Sequence, residues 1–237
     1  MKLKTYILFV TCLFLCSCHK SSGVYTDEMD RDYRLYDYYE DAYGNAGVVA
    51  SIVSNKNENG IIVISLDEAN LPWGPMGEIV YNDSITGSGS LEVYFGVAML
   101  QIMKAVGIDH YPAQAWCDAK NGDETYVRGG SWRLPTYHEL RLTFGDEGSC
   151  VPALNQALLK AGGTPISTDV FDMYWTCVED KPKFVKFSDV ENTYDPANRA
   201  IPVNYQYRFY TDRDQWIKKN RYNVRAIKYI YYQNVRK

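Results

Sequence analysis

Residues 129–140 constrain the fold more tightly than any other stretch of the chain. They read Gly129-Gly130-Ser131-Trp132-Arg133-Leu134-Pro135-Thr136-Tyr137-His138-Glu139-Leu140. The two glycines let the backbone bend freely. Trp132 and Leu134 alternate with Arg133, the pattern of a short strand with one apolar face. Pro135 removes a ladder donor and ends that strand. Thr136 then caps a helix, and Glu139 completes a T-x-x-E capping box. Tyr137, Leu140 and Phe144 follow at helical spacing. The stretch predicts a rigid strand-to-helix corner around a buried tryptophan. It speaks for architecture and carries no chemistry of its own.

The N-terminus speaks for location. Lys2 and Lys4 precede an apolar run from Tyr6 to Leu15, too short to span a bilayer. The run ends in Leu15-Cys16-Ser17-Cys18, which resembles the lipobox of bacterial lipoproteins. That resemblance implies a leader over residues 1–17. It makes Cys18 the first mature residue, anchored in a membrane by acyl chains. Several chains hold stably where one does not. His19 offers no acidic retention signal, which favours the outer membrane. The tyrosine- and aspartate-rich residues 18–44 are expected to form a tether. They could be a plain spacer, or a contact segment packing on the domain or on a partner. The folded domain is expected over residues 45–237.

Six cysteines are present. Cys12 and Cys16 leave with the leader and Cys18 is lipidated. Of Cys117, Cys150 and Cys177, an oxidising compartment favours one disulfide. The preferred pair is Cys150 with Cys177, both downstream of the corner. No C-x-x-C occurs, so no zinc site is expected. The formal charge is −4, and no basic patch invites nucleic acid.

Periodicity orders the rest. Val48–Val53 and Ile61–Leu66 read as a hairpin, the second strand β-branched as in a buried one. Residues 67–77 read as a loop. Leu91, Phe95, Met99, Met103 and Val106 mark an amphipathic helix ending at Gly107. Pro112 opens another helix and Pro152 a further one, stopping at Gly162. Strands are expected at 173–178, 183–187, 205–210 and 224–232. A hairpin, then helices, then short strands predicts an α+β fold, with helices on one side of antiparallel sheet.

Three separated pieces carry a family resemblance. The corner looks like the G-x-W-R-L-P-T-x-x-E-L signature of the Lcl C-terminal domain and the related major paralogous domains of bacterial lipoproteins. Tyr174-Trp175-Thr176 is similar to that family's Y-W-S-S strand, with Cys177 replacing the second serine. Val224-Arg225-Ala226-Ile227-Lys228 is similar to its terminal V-R-A-V-R strand. The resemblance runs from about 46 to 232. It implies a C-type-lectin-like fold of short strands and two to four helices, with the N- and C-terminal strands paired. It also implies non-catalytic recognition of a glycan or protein. Fold-level analogy leaves the ligand open.

Site readings follow the residues. Trp132, Arg133, Leu134, Pro135, Thr136, Glu139, Trp175 and Arg225 are expected to be structural. The two arginines should bond buried carbonyls, or a carboxylate such as Glu139. The proposed contact surface is aromatic and basic: Trp73, Tyr194, Arg199, Tyr205, Tyr207, Arg208, Tyr210 and Trp216. The acidic run 118–124 lacks calcium-loop spacing, and no catalytic motif is present. No cofactor is expected. The alternative to ligand recognition is a fimbrial accessory or structural envelope protein that binds a sister subunit.

Overall fold

The computed structural model describes residues 33–54, 59–78, 80, 93–122, 130–179, 199–206 and 216–231. Strands β1 (Tyr38–Glu40), β2 (Ala46–Ser54), β3 (Asn59–Ser65) and β4 (Ala69–Pro72) come first. Helices α1 (Val93–Val106), α2 (Pro112–Asp118), α3 (Tyr137–Phe144) and α4 (Val151–Lys160) follow. Strands β5 (Tyr174–Glu179), β6 (Ala200–Val203), β7 (Arg221–Val224) and β8 (Ile227–Tyr231) complete them. The fold is α+β, built on two four-stranded sheets.

The first sheet runs β1-β2-β3-β8 and is antiparallel throughout. The second strand of the opening hairpin pairs with the last strand, from Gly60 opposite Tyr231 to Ile64 opposite Ile227. β3 is covered on both faces. Ile61 and Val63 enter one core with Trp73, Met99, Trp132 and Trp175. Ile62 and Ile64 enter a second with Leu140, Phe144, Leu154 and Leu158 of α3 and α4. That explains its unbroken β-branched run, since alternation is needed only where one face meets water. Each such side chain contributes about 1.5–3 kcal/mol when fully buried.

The second sheet runs β4-β7-β5-β6. Its outer pairs are antiparallel. Its centre rests on one parallel register pair, Tyr174 with Asn223.

Helix ends follow the sequence signals. Gly107 leaves α1 at φ 112°, Pro112 opens α2, and Gly162 follows α4 at φ 80°. Among the described residues no helix is long and apolar enough to cross a membrane.

Several expectations change. The strand anticipated at 224–232 is two, one in each sheet, broken at Arg225-Ala226. The loop at 67–77 contains β4. Of the strand placed at 205–210, Tyr205-Gln206 form a turn after β6, and residues 207–210 lie outside the described residues. The strand expected at 183–187 lies outside the described residues. Residues 38–40, assigned to the tether, instead add β1 to the first sheet, with Tyr38 opposite Val48. Tyr39 accounts for this, because its ring is wholly buried against Trp132.

Candidate functional site

The corner assembles as its residues dictate. Arg133 exchanges two backbone hydrogen bonds with Ile227, each 3.0 Å, which fastens the corner to the start of β8. Thr136 caps α3 in a complete capping box with Glu139. The Glu139 carboxylate does double duty. Oε2 accepts from the Thr136 backbone and from Arg133 Nη1, both at 2.8 Å, and Oε1 accepts from Arg133 Nη2 at 2.5 Å. The arginine that interrupts the apolar alternation is thus neutralised by the helix cap six residues on.

Trp132 is held from the other side. Its indole donates to Asp41 Oδ2 at 2.7 Å, and its backbone exchanges hydrogen bonds with the Asn121 side chain. Asp41 also accepts from the backbones of Tyr43 and Asn45. The end of the supposed tether is therefore anchored on the corner.

Arg225 sits where the chain passes from one sheet to the other. Nη1 donates to Ser65 O and Leu66 O, each at 3.0 Å, and Nη2 to Glu68 and Thr164 O. Trp175 donates to Leu71 O at 2.9 Å, tying β5 to β4. Leu134 and Pro135 are buried beside the corner. All eight motif residues are buried in this fold.

Four residues of the expected aromatic and basic contact surface are described, and they are buried or half-buried. Trp73 is 0% exposed. Its indole donates to Thr176 O at 2.8 Å, and its ring meets Tyr111 edge-on at 5.7 Å. No sugar ring can stack on it. Trp216 is 9% and Arg199 8% exposed, in neighbouring positions through the Arg199–Ile217 bridge. Tyr205 is half-buried and packs against Gly148. Tyr194, Tyr207, Arg208 and Tyr210 lie outside the described residues.

The exposed aromatics of the described surface are others: Tyr38 (52%), Tyr43 (53%) and Phe171 (72%). The first two belong to the tyrosine-rich segment before the domain. Strand alternation around the buried Tyr39 could have flagged Tyr38 as outward-facing. Phe171 tips a turn fixed by Ser167, Asp169 and Asp172.

The cysteines overturn the disulfide. Cys117, Cys150 and Cys177 are all free thiols. Cys177 lies in the core, its backbone N–H donating to Pro135 O at 2.8 Å, while Cys150 precedes α4 and keeps partial exposure. Burial pushes the thiols of Cys117 and Cys177 well above their usual range.

In the acidic run, Asp118 is engaged by Lys104 at 2.8 Å and by Asn121. Among the described residues no three His, Cys, Asp or Glu side chains gather to hold a metal ion.

No sequence-family profile matches the chain, and no curated protein matches it. One solved structure is similar, the crystal structure of a fimbrial protein from Bacteroides ovatus. The TM-score is 0.57 at 14% identity, over 84% of this chain and 49% of that one. The likeness is one of fold, and this chain spans about half the length of that protein.

Proposed function

We propose that this chain is a fimbrial accessory or structural protein of the cell envelope, which binds a sister subunit without catalysis. The observation that carries this reading is the shared fold with a fimbrial protein over most of the chain. The lipobox-like Leu15-Cys16-Ser17-Cys18 supports attachment to the outer membrane through acylated Cys18. With Cys18 as the anchor, the chain to Tyr33 reaches roughly 50 Å at full extension. The domain then stays close to the bilayer, which suits a partner at the base of an assembly.

A C-type-lectin-like domain fits the same reading. Supporting it are the pairing of the opening hairpin with the last strand, and the W-R-L-P corner bridged to that strand. Glycan recognition is the second reading. It draws on Tyr38 and Tyr43, which present exposed rings five positions apart in the sequence. It loses the stack built on Trp73.

Cross-linking of intact envelopes, followed by purification without added ligand, tests the proposal. Fimbrial subunits should co-purify with the wild-type chain, and a Cys18→Ala chain should leave the membrane fraction. A chain that cross-links to no fimbrial subunit, or whose deletion leaves fimbriae unchanged, refutes the assignment.

A further inference from the structure

Lys218 is wholly buried and Glu179 is 1% exposed. Lysine and glutamate are almost never withdrawn from water this far unless paired. Lys218 Nζ contacts Glu179 Oε1, donates to Glu78 O at 2.6 Å and lies 4.7 Å from the centre of the Trp73 ring. The backbone holds both partners in place. Glu179 ends β5. Lys218 sits in the turn before β7, where its carbonyl accepts from Trp73 N at 2.8 Å and Asn220 N closes back on Ile217 O.

An apolar wall disfavours two separated charges. Passing one proton from the ammonium to the carboxylate removes both. It leaves a neutral amine, which is nucleophilic, against a neutral carboxylic acid. Among the described residues, the other buried or bridging pairs lack this combination. Arg133 carries a guanidinium that does not act as a nucleophile. Lys228 stands 3.8 Å from Asp41, and Lys120 pairs with an exposed carboxylate.

We propose that Lys218 and Glu179 condense into an intramolecular isopeptide bond. The amine nitrogen attacks Glu179 Cδ and the N–C bond forms. One carboxyl oxygen departs with two protons, its own and one from nitrogen, as water. An ammonium and a carboxylate thereby become one amide and one water, with no oxidant or co-reactant. Tyr111 is buried on the same side of the core, and its hydroxyl donates to Glu78 Oε2 at 3.3 Å. The isopeptide bond would fasten the end of β5 to the approach of β7, the two strands otherwise joined by a single parallel register pair.

Peptide mass spectrometry of the purified full chain tests this, and its readout is independent of any fimbrial partner. A branched peptide should appear, joining the Glu179 segment to the Lys218 segment. It should be lighter than the sum of the two by one water, about 18 Da. Lys218→Arg keeps the charge but should yield only linear peptides. If that variant does not fold, the wild-type peptides decide alone. Recovery of both segments chiefly as separate linear peptides from the folded wild-type chain overturns the proposal.

Discussion

Arg133 and Glu139 face each other with no water between them, Nη2 to Oε1 at 2.5 Å and both side chains 0% exposed. Such a pair adds little over a well-packed apolar core, but removing one partner strands the other. Glu139→Ala should destabilise the domain by about 3–5 kcal/mol, with about 1 kcal/mol more from the lost cap. Glu139→Gln should cost less, because an amide oxygen can still accept from Thr136. A double change of Arg133→Met with Glu139→Leu should recover much of the loss. Urea denaturation of the three variants checks the order. Equal destabilisation by the Ala and double variants would show that the pair is not what holds the corner.

Gly96 tests the same corner from α1. A Cβ there would lie 2.5 Å from Arg133 Nη1 and 2.7 Å from its Cζ. Helix propensity alone favours Gly96→Ala by about 1 kcal/mol. The clash opposes it by about 1–3 kcal/mol, because the guanidinium is pinned at both ends. Net destabilisation in a thermal melt is the expected result. A rise in Tm would mean that Arg133 yields freely.

Trp73 separates a packing role from a binding one. Trp73→Ala should cost about 3–5 kcal/mol through the cavity it leaves. In calorimetry, any ligand found for the folded variant should bind as it does to the wild type. Loss of binding with stability intact would return Trp73 to the surface role that its loop position suggested.

These residues show what the sequence could and could not disclose. The corner was legible because each of its signals is local: alternation, a proline stop, a capping box. The arginine–carboxylate pairing followed from burial and proximity in sequence. The split at Arg225-Ala226 was not legible. Val224 and Ile227 are both strand formers, and only the tertiary partners, β4 and β5 for one half and β3 for the other, assign them to different sheets. Trp73 was misplaced because a Pro-Trp-Gly-Pro stretch has loop composition, while its burial depends on β5, a hundred residues away. The expected disulfide failed similarly. Compartment chemistry says that cysteines can pair, but only geometry brings two sulfurs together.

Alkaline pH should weaken the fold through the buried Tyr111 and the half-buried Tyr137. Tyr111 is pushed from 10.0 up to about 12, first by burial and then by the charge of Glu78. Tyr137 is pushed to about 12 by burial. A raised folded pKa means that the native state keeps its proton after the unfolded chain has lost it. The stabilisation is therefore full below pH 10 and is lost as pH climbs from 10 towards 12. Urea denaturation across that window should show stability falling with pH, and Tyr111→Phe should make the fall shallower. An unchanged slope in that variant would remove Tyr111 as a contributor.

Thiol accessibility gives a test that needs no variant. Cys150 has partial exposure at the start of α4, whereas Cys117 and Cys177 have none. Burial also keeps the latter two as thiols rather than reactive thiolates, and the thiolate is the species that alkylates. In the native protein, iodoacetamide should label Cys150 first and spare Cys117 and Cys177. Labelling of those two should track unfolding as urea is raised, since only opening of the core admits the reagent. Peptide mapping after a short pulse reads each position separately. Native labelling of Cys177 at the rate of Cys150 would contradict its place beneath the Pro135 carbonyl. A Cys150–Cys177 disulfide in the non-reduced map would restore the pairing that the structure leaves unmade.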